Sequence, residues 1–129
     1  MATSLLSKAV MGTVLPANNI DRAHDFYENK LGLDVGASPI PDSFFVHGAK
    51  GSDALVYKTD AHPGDATEMS FLVEDLDAVA KELRGRGVKF MDIDMDPIHT
   101  VDGIADMGPG GKTAWLKDTE GNTLNIAQM

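Results

Sequence analysis

The 129-residue sequence contains no cysteine. That excludes a disulfide framework, a thiolate metal site and a thiol nucleophile. No apolar run approaches the roughly 20 residues that cross a bilayer as a helix, so no membrane partner is expected. The opening stretch, MATSLLSKAV, lacks a basic segment followed by a long apolar one, and no signal peptide is read there. A cytoplasmic location is the resulting expectation. Basic residues are also scarce: 11 Lys and Arg stand against 20 Asp and Glu, a formal charge of −9. This disfavours a nucleic-acid partner, because neutralising phosphates takes clustered Lys and Arg. Such acidity suits cationic or neutral small ligands, and it also serves simply to keep a protein dissolved.

What is present is an ordinary globular composition, 43% hydrophobic and 24% charged, on a length that suits one domain over 1–129. Residues 8–15 read as a strand closed by Pro16. Asn19 caps a helix over 20–31, in which Ile20, Ala23, Tyr27 and Leu31 fall at helical spacing. Gly32 ends it. Short strands follow at 33–37, 44–47 and 54–59, separated by turns rich in Pro, Gly, Asp and Ser. After the loop AHPGDA comes a strand over 67–73. Asp75 then caps a second helix, with Leu76, Val79, Ala80 and Leu83 on one face, ending near Gly85–Gly87. Residues 88–95 read as a strand and 96–111 as a long, glycine-containing loop of a length often found in lids. A hairpin of 112–117 and 123–128 closes the chain, with Gly121 in a left-handed position.

The order is βαβββ twice, with a period of about 56 residues. The expected fold is α+β: two modules, about 8–60 and 67–128, form an open, curved, eight-stranded mixed sheet around a cleft, with the helices outside. In 67–73, Met69, Phe71 and Val73 share the face that packs on a helix. Glu68, Ser70 and Leu72 share the face that lines the cleft.

Three segments carry a family resemblance. IDRAHDFYENKLGLDV, FLVEDLDAVAKELRGRGVKF and AWLKDTEGNTLNIAQ resemble, in order and spacing, the two module signatures and the closing hairpin of the vicinal oxygen chelate superfamily. That superfamily includes glyoxalases, bleomycin-resistance proteins and dioxygenases. The resemblance spans nearly the whole chain and implies a homodimer. Enzymes of this family hold one divalent metal through side chains on four cleft strands. Carried over, those positions fall on Gly12, near Val56, on Glu68 and on Asn125. One carboxylate and one amide fall short of the three or four donors a transition metal takes. No cofactor is therefore expected, a divalent metal being the alternative.

The candidate ligand-binding residues are Glu68, Ser70, Asn125, Trp115, His47 and His99. Glu68, if desolvated, is a candidate general acid or base. Asn125 offers a hydrogen bond to a ligand carbonyl, and Trp115 a flat wall for a planar ligand. His47 and His99 are candidates for the cleft mouth. His24 reads as a helix histidine and His62 as a surface one. Asp92, Asp94 and Asp96 alternate on one strand face as a solvated acidic row. The GPGGKT stretch is not a phosphate-binding loop, because Asp106 stands where glycine is needed and a strand follows instead of a helix. The function expected is metal-independent binding or sequestration of a small molecule. The alternative is a divergent enzyme of the family, a lyase, isomerase or dioxygenase. It would use either a metal held by substitute histidines (His47, His62, His99) or Glu68 alone.

Overall fold

Both predicted helix caps form. Asn19 Oδ1 accepts from the Arg22 N–H at 3.0 Å, and Asp75 Oδ1 from the Ala78 N–H at 3.1 Å. In the computed structural model, which describes residues 4–129, these caps open α1 (Ile20–Asp25) and α2 (Leu76–Gly85). α1 runs on into a π-helical stretch, Phe26–Lys30, in which the Leu31 N–H reaches back to the Phe26 carbonyl at 2.9 Å. The wider turn lets two consecutive aromatics, Phe26 and Tyr27, both point inward, as π-bulges often do near special sites.

The strands form two sheets. One has the order β1 (Thr13–Ala17), β4 (Asp53–Lys58), β3 (Ser43–His47), β2 (Asp34–Ala37). The other begins β5 (Thr67–Val73), β10 (Thr123–Gln128), β9 (Lys112–Lys117). It continues through β8 (Ile104–Asp106) and β7 (Ile98–Val101) to β6 (Asp94–Met95). β1 pairs β4 in parallel and β5 pairs β10 in parallel, the remaining ladders being antiparallel. The two modules thus share one topology, and β1 and β5 occupy the corresponding edges. Pro16 is tolerated inside β1 because an edge strand has one side of its backbone unpaired.

Alternate residues explain the packing. Leu15, Val56, Phe44 and Val46 in the first sheet, and Ala114, Leu116, Leu124 and Ile126 in the second, are buried beneath the helices with Tyr27, Leu76 and Leu83. Met69, Phe71 and Val73 pack against the same core, as the period-two pattern of β5 requires. The other face of each sheet is open. Val14 is 56% exposed and Leu72 68%.

Three local expectations change. The first strand starts at Thr13, not at residue 8, and Leu5–Lys8 makes one 3-10 turn. Of 88–95, only Asp94–Met95 is ladder-paired strand, although the Met91 N–H still donates to the Trp115 carbonyl at 2.8 Å. The stretch 96–111 is not a free lid. It carries β7 and β8, joined by Asp102–Gly103, both at positive φ (52° and 78°), the backbone of a tight two-residue hairpin turn. These strands bring the second sheet to six against four in the first.

The β9–β10 turn, Asp118–Asn122, fastens the second module to the first. The Tyr27 hydroxyl donates to Asp118 Oδ2 at 2.6 Å, and Asn122 Nδ2 donates to the Pro16 carbonyl at 2.9 Å. Arg22 pairs with Glu120 at 2.8 Å, and the Asn19 N–H donates to Glu120 at 2.7 Å. Asp118 is buried, yet its carboxylate also accepts from Asn122 Nδ2 and from the Glu120 and Asn122 N–H groups, which compensates the lost hydration.

Candidate functional site

The open face of the second sheet is built from β5, β10 and β9. Register sets Ser70 opposite Asn125 and Asn125 opposite Trp115, so three of the predicted residues form one row across three strands. Ser70 Oγ donates to Asn125 Oδ1 at 2.7 Å. Asn125 Nδ2 donates to Thr113 Oγ1 at 2.7 Å and to the Ala114 carbonyl at 3.1 Å. Both amide protons are used, and Asn125 is 8% exposed. It therefore braces the row, with little capacity left for a ligand. The Trp115 indole N–H donates to Thr67 Oγ1 at 2.9 Å, which fixes the ring plane on the open face.

Glu68 lies on the same strand as Ser70, two residues earlier, beside the Thr67–Thr123 pair. Thr67 pairs with Thr123 and Met69 with Leu124, so Glu68 is the extra residue of a β-bulge. Bulges re-aim side chains and are common beside active sites. Its Oε1 is buried and has no hydrogen-bond partner. Burial raises its pKa first, then the Asp118 charge; donation from the Thr123 backbone and the Lys117 charge oppose this without cancelling it. The result is a carboxyl group shifted towards its protonated form.

The first sheet supplies a matching surface. Val14 pairs with Leu55, and Leu55 with Phe45. Superposing the caps Asn19 and Asp75 sets Val14 on Ser70, Leu55 on Asn125 and Phe45 on Trp115. Phe45 and Trp115 thus hold equivalent places on the two open faces. His47 lies two residues beyond Phe45 and stacks on it, with ring centroids 6.1 Å apart. His47 Nδ1 is 2.7 Å from Asp53 Oδ1. A Cβ on Gly36 would sit 2.6 Å from His47 Nε2, so glycine there lets the ring lie across β2.

Sequence reasoning missed Phe45, Leu55, Thr67, Thr113 and Asp53. The adjacent Phe44 and Phe45 were the available signal: in a strand, one of two consecutive aromatics must face away from the core. The fourth-strand family position also shifts by one. Val56 is fully buried in the core, and the module repeat gives the open-face position to Leu55.

His99 is not part of the row. It lies in a recess beside α2 that is also lined by Asp77, Arg84 and Lys112. Lys112 neighbours Thr113, whose hydroxyl meets Asn125 on the opposite face. His99 Nδ1 is 2.6 Å from Asp94 Oδ1 and Nε2 is 2.5 Å from Asp96 Oδ1. Hydrogen bonding to Asp94, then to Asp96, raises its pKa. Two members of the acidic row are therefore engaged with a histidine, not merely solvated. His24 meets Phe44 edge-on at 5.1 Å, in keeping with a helix histidine. His62 is exposed in the loop between β4 and β5.

This geometry leaves the four family metal positions short of donors. Gly12 and Leu55 have no donor atom, Asn125 is committed to its neighbours, and only the Glu68 carboxylate has an unpartnered oxygen. The donor set does not fit a transition metal.

The family model described as "Glyoxalase/Bleomycin resistance protein/Dioxygenase superfamily" matches residues 10–126. No curated protein matches the sequence. Solved structures with a similar fold include a glyoxalase/bleomycin resistance protein/dioxygenase from Alicyclobacillus acidocaldarius, at 22% identity and TM-score 0.68, covering 93% of this chain and 90% of that one. A lactoylglutathione lyase from Agrobacterium tumefaciens matches at 17% identity and TM-score 0.68, covering 93% and 92%. A genomically encoded fosfomycin resistance protein from Listeria monocytogenes matches at 12% and 0.69, covering 94% and 93%. At these identities the likeness concerns the fold.

Proposed function

The chain belongs to the glyoxalase/bleomycin resistance protein/dioxygenase superfamily, and from that premise we propose that it binds a planar, neutral or cationic small molecule in its open cleft without a metal ion. The observation that carries this reading is the pair Phe45 and Trp115, at equivalent positions on the two open faces. Two flat apolar walls favour a flat ligand, because stacked area contributes both desolvation and ring-to-ring attraction. The charge of −9 favours a cation over an anion. The drug-resistance names among the solved relatives are compatible with enclosure of a ligand, and the donor set argues against metal chemistry in this cleft. The reading takes the protein as cytoplasmic and as a homodimer, with no nucleic-acid or membrane partner. Among the described residues no helix is long and apolar enough to cross a membrane.

Trp115 is the single tryptophan, so its fluorescence reports on the cleft directly. Titration with planar cationic dyes and with bleomycin, in EDTA, is expected to give saturable 1:1 quenching for at least one compound. Phe45→Ala should weaken that binding about tenfold, roughly the value of one aromatic contact. No saturable binding across the set, or binding indifferent to Phe45→Ala, overturns the reading.

A second reading rests on Glu68. A bulged, partly buried carboxyl group with an unpartnered oxygen is suited to moving a proton at a bound carbonyl compound. Turnover that depends on pH and is lost in Glu68→Gln would favour it over sequestration.

A further inference from the structure

The two modules pack their helices on the sheets with different side chains. Counted from the caps Asn19 and Asp75, Ala23 of module one corresponds to Val79 of module two, Phe26 to Glu82 and Tyr27 to Leu83. In module one the consecutive aromatics Phe26 and Tyr27 are both buried. In module two the same places hold an exposed carboxylate and a buried leucine. The ring that Phe26 supplies has no counterpart in α2.

A cavity of about 170 Å³ lies there, on the helix side of the module seam. Leu31 and Leu33 line it from module one, Val79 and Leu83 from α2, and Phe71 and Ile126 from the core face of the second sheet. Leu31, Leu33, Phe71 and Val79 are half-buried, so large apolar side chains remain in partial contact with water. The cavity is separate from the cleft. Phe71 packs towards the helices, whereas its neighbours Ser70 and Leu72 lie on the open face. No member of the Ser70–Asn125–Trp115 row lines it. An apolar cavity of about 150 Å³ takes up benzene, so this volume and lining suit a single ring. Among the described residues, Glu82 is the one charged residue that lines it. Its ion pair with Arg86 is long, 3.9 Å, and the same guanidinium donates to the Asn29 carbonyl at 3.1 Å.

We propose that this cavity is a second ligand site, which takes a small primary amine carrying one apolar ring. The ring occupies the place of the missing aromatic and the ammonium group meets Glu82. The site goes beyond the cleft and is independent of the ligand proposed for it. Burial of the ring supplies the affinity. The carboxylate supplies the choice of a cation, and only a few-fold choice, because solvent screens an exposed pair.

Benzylamine, benzyl alcohol and benzoate are the probes, titrated into the intact chain while the methyl NMR signals of Val79, Leu83 and Ile126 are followed. Benzylamine and benzyl alcohol are expected to shift those signals saturably, with the amine about threefold tighter and benzoate the weakest. Glu82→Gln should bring the amine level with the alcohol. Glu82→Phe gives α2 the residue that module one carries, and Val79→Phe is a second plug on the same helix. Both should abolish the Leu83 and Ile126 shifts, and Glu82→Phe should also raise the melting temperature, as cavity filling does. Phe45→Ala, which alters the cleft, should leave the titrations unchanged. Signals that no probe moves, or that move in both plugged variants as in the parent, overturn the site. An amine preference that survives Glu82→Gln overturns the assignment of the amine to Glu82. Signals that shift with protein concentration alone would show a second copy covering the cavity and would overturn the ligand site as well.

Discussion

A carboxylate placed where burial and a neighbouring negative charge both oppose ionisation is more easily protonated in the folded chain than in the unfolded one, and Glu68 is in that position. Its folded pKa lies above the ordinary 4.5. The associated stability is therefore fully present below that ordinary value and is lost as pH rises through the folded value. Near neutral pH the ionised group weighs against folding. Glu68→Gln keeps the shape and removes the charge. It should melt higher than the parent at pH 7–8, and the two should converge near pH 4. Calorimetric scans at the two pH values check this. A variant that melts lower at pH 7 would mean that Lys117 and the Thr123 N–H more than compensate the charge. A higher melting point for Glu68→Gln is the outcome expected of a carboxyl group kept for function at some expense of stability.

At the scale of elements, the β9–β10 turn decides whether the two modules behave as one unit. Burial acts to raise the Glu120 pKa, but the Arg22 guanidinium, the Asn19 N–H and the Thr119 hydroxyl outweigh it and hold the group at about 2. A depressed carboxyl pKa contributes stability above the unfolded value of 4.5, lost as pH falls towards 2. Arg22→Ala should lower the urea midpoint at pH 7, modestly because solvent screens an exposed pair, and the difference should fade below pH 4. Tyr27→Phe removes a donor from buried Asp118 and should cost about 1–3 kcal/mol. Urea unfolding of both variants provides the measurement, and a parent-like midpoint for Tyr27→Phe would show that Arg22, Asn19 and the Asn122–Pro16 hydrogen bond hold the turn without the tyrosine. Much at this scale was legible in the sequence. The caps, the terminating glycines and the β5, β9 and β10 spans follow from local chemistry and period-two alternation. The β7–β8 hairpin was legible but overlooked: Val-Asp-Gly-Ile carries the Asp-Gly signal of a two-residue turn, hidden by the glycines at 108, 110 and 111 that make the stretch resemble a loop. The Glu68 bulge was not legible, because an extra residue in one strand exists only relative to its partner's register.

At the scale of the whole molecule, the two modules repeat a topology and diverge in chemistry. The module repeat sets Gly12 on Glu68 and Leu55 on Asn125. At these two positions module one thus contributes no donor atom, and module two contributes a carboxyl group and an amide already bonded to Ser70, Thr113 and Ala114. The pairing of Phe45 with Trp115 was hidden for the same reason as the bulge: open-face residues can be matched only once both ladders are in register, and Trp115 alone gave half of it. A metal needs several donors aimed at one point, whereas stacking needs only two faces, and the repeat supplies the second. The expected outcome is that EDTA leaves the melting temperature of the purified protein unchanged, and that nickel, zinc, manganese and iron(II) each do the same. A metal bound at about 100 times its dissociation constant would add about 2.7 kcal/mol, a shift of several degrees and easily resolved. A near-stoichiometric metal that survives purification and raises the melting temperature would show that Glu68 finds partners the repeat does not provide, and the metal-free cleft would have to be abandoned.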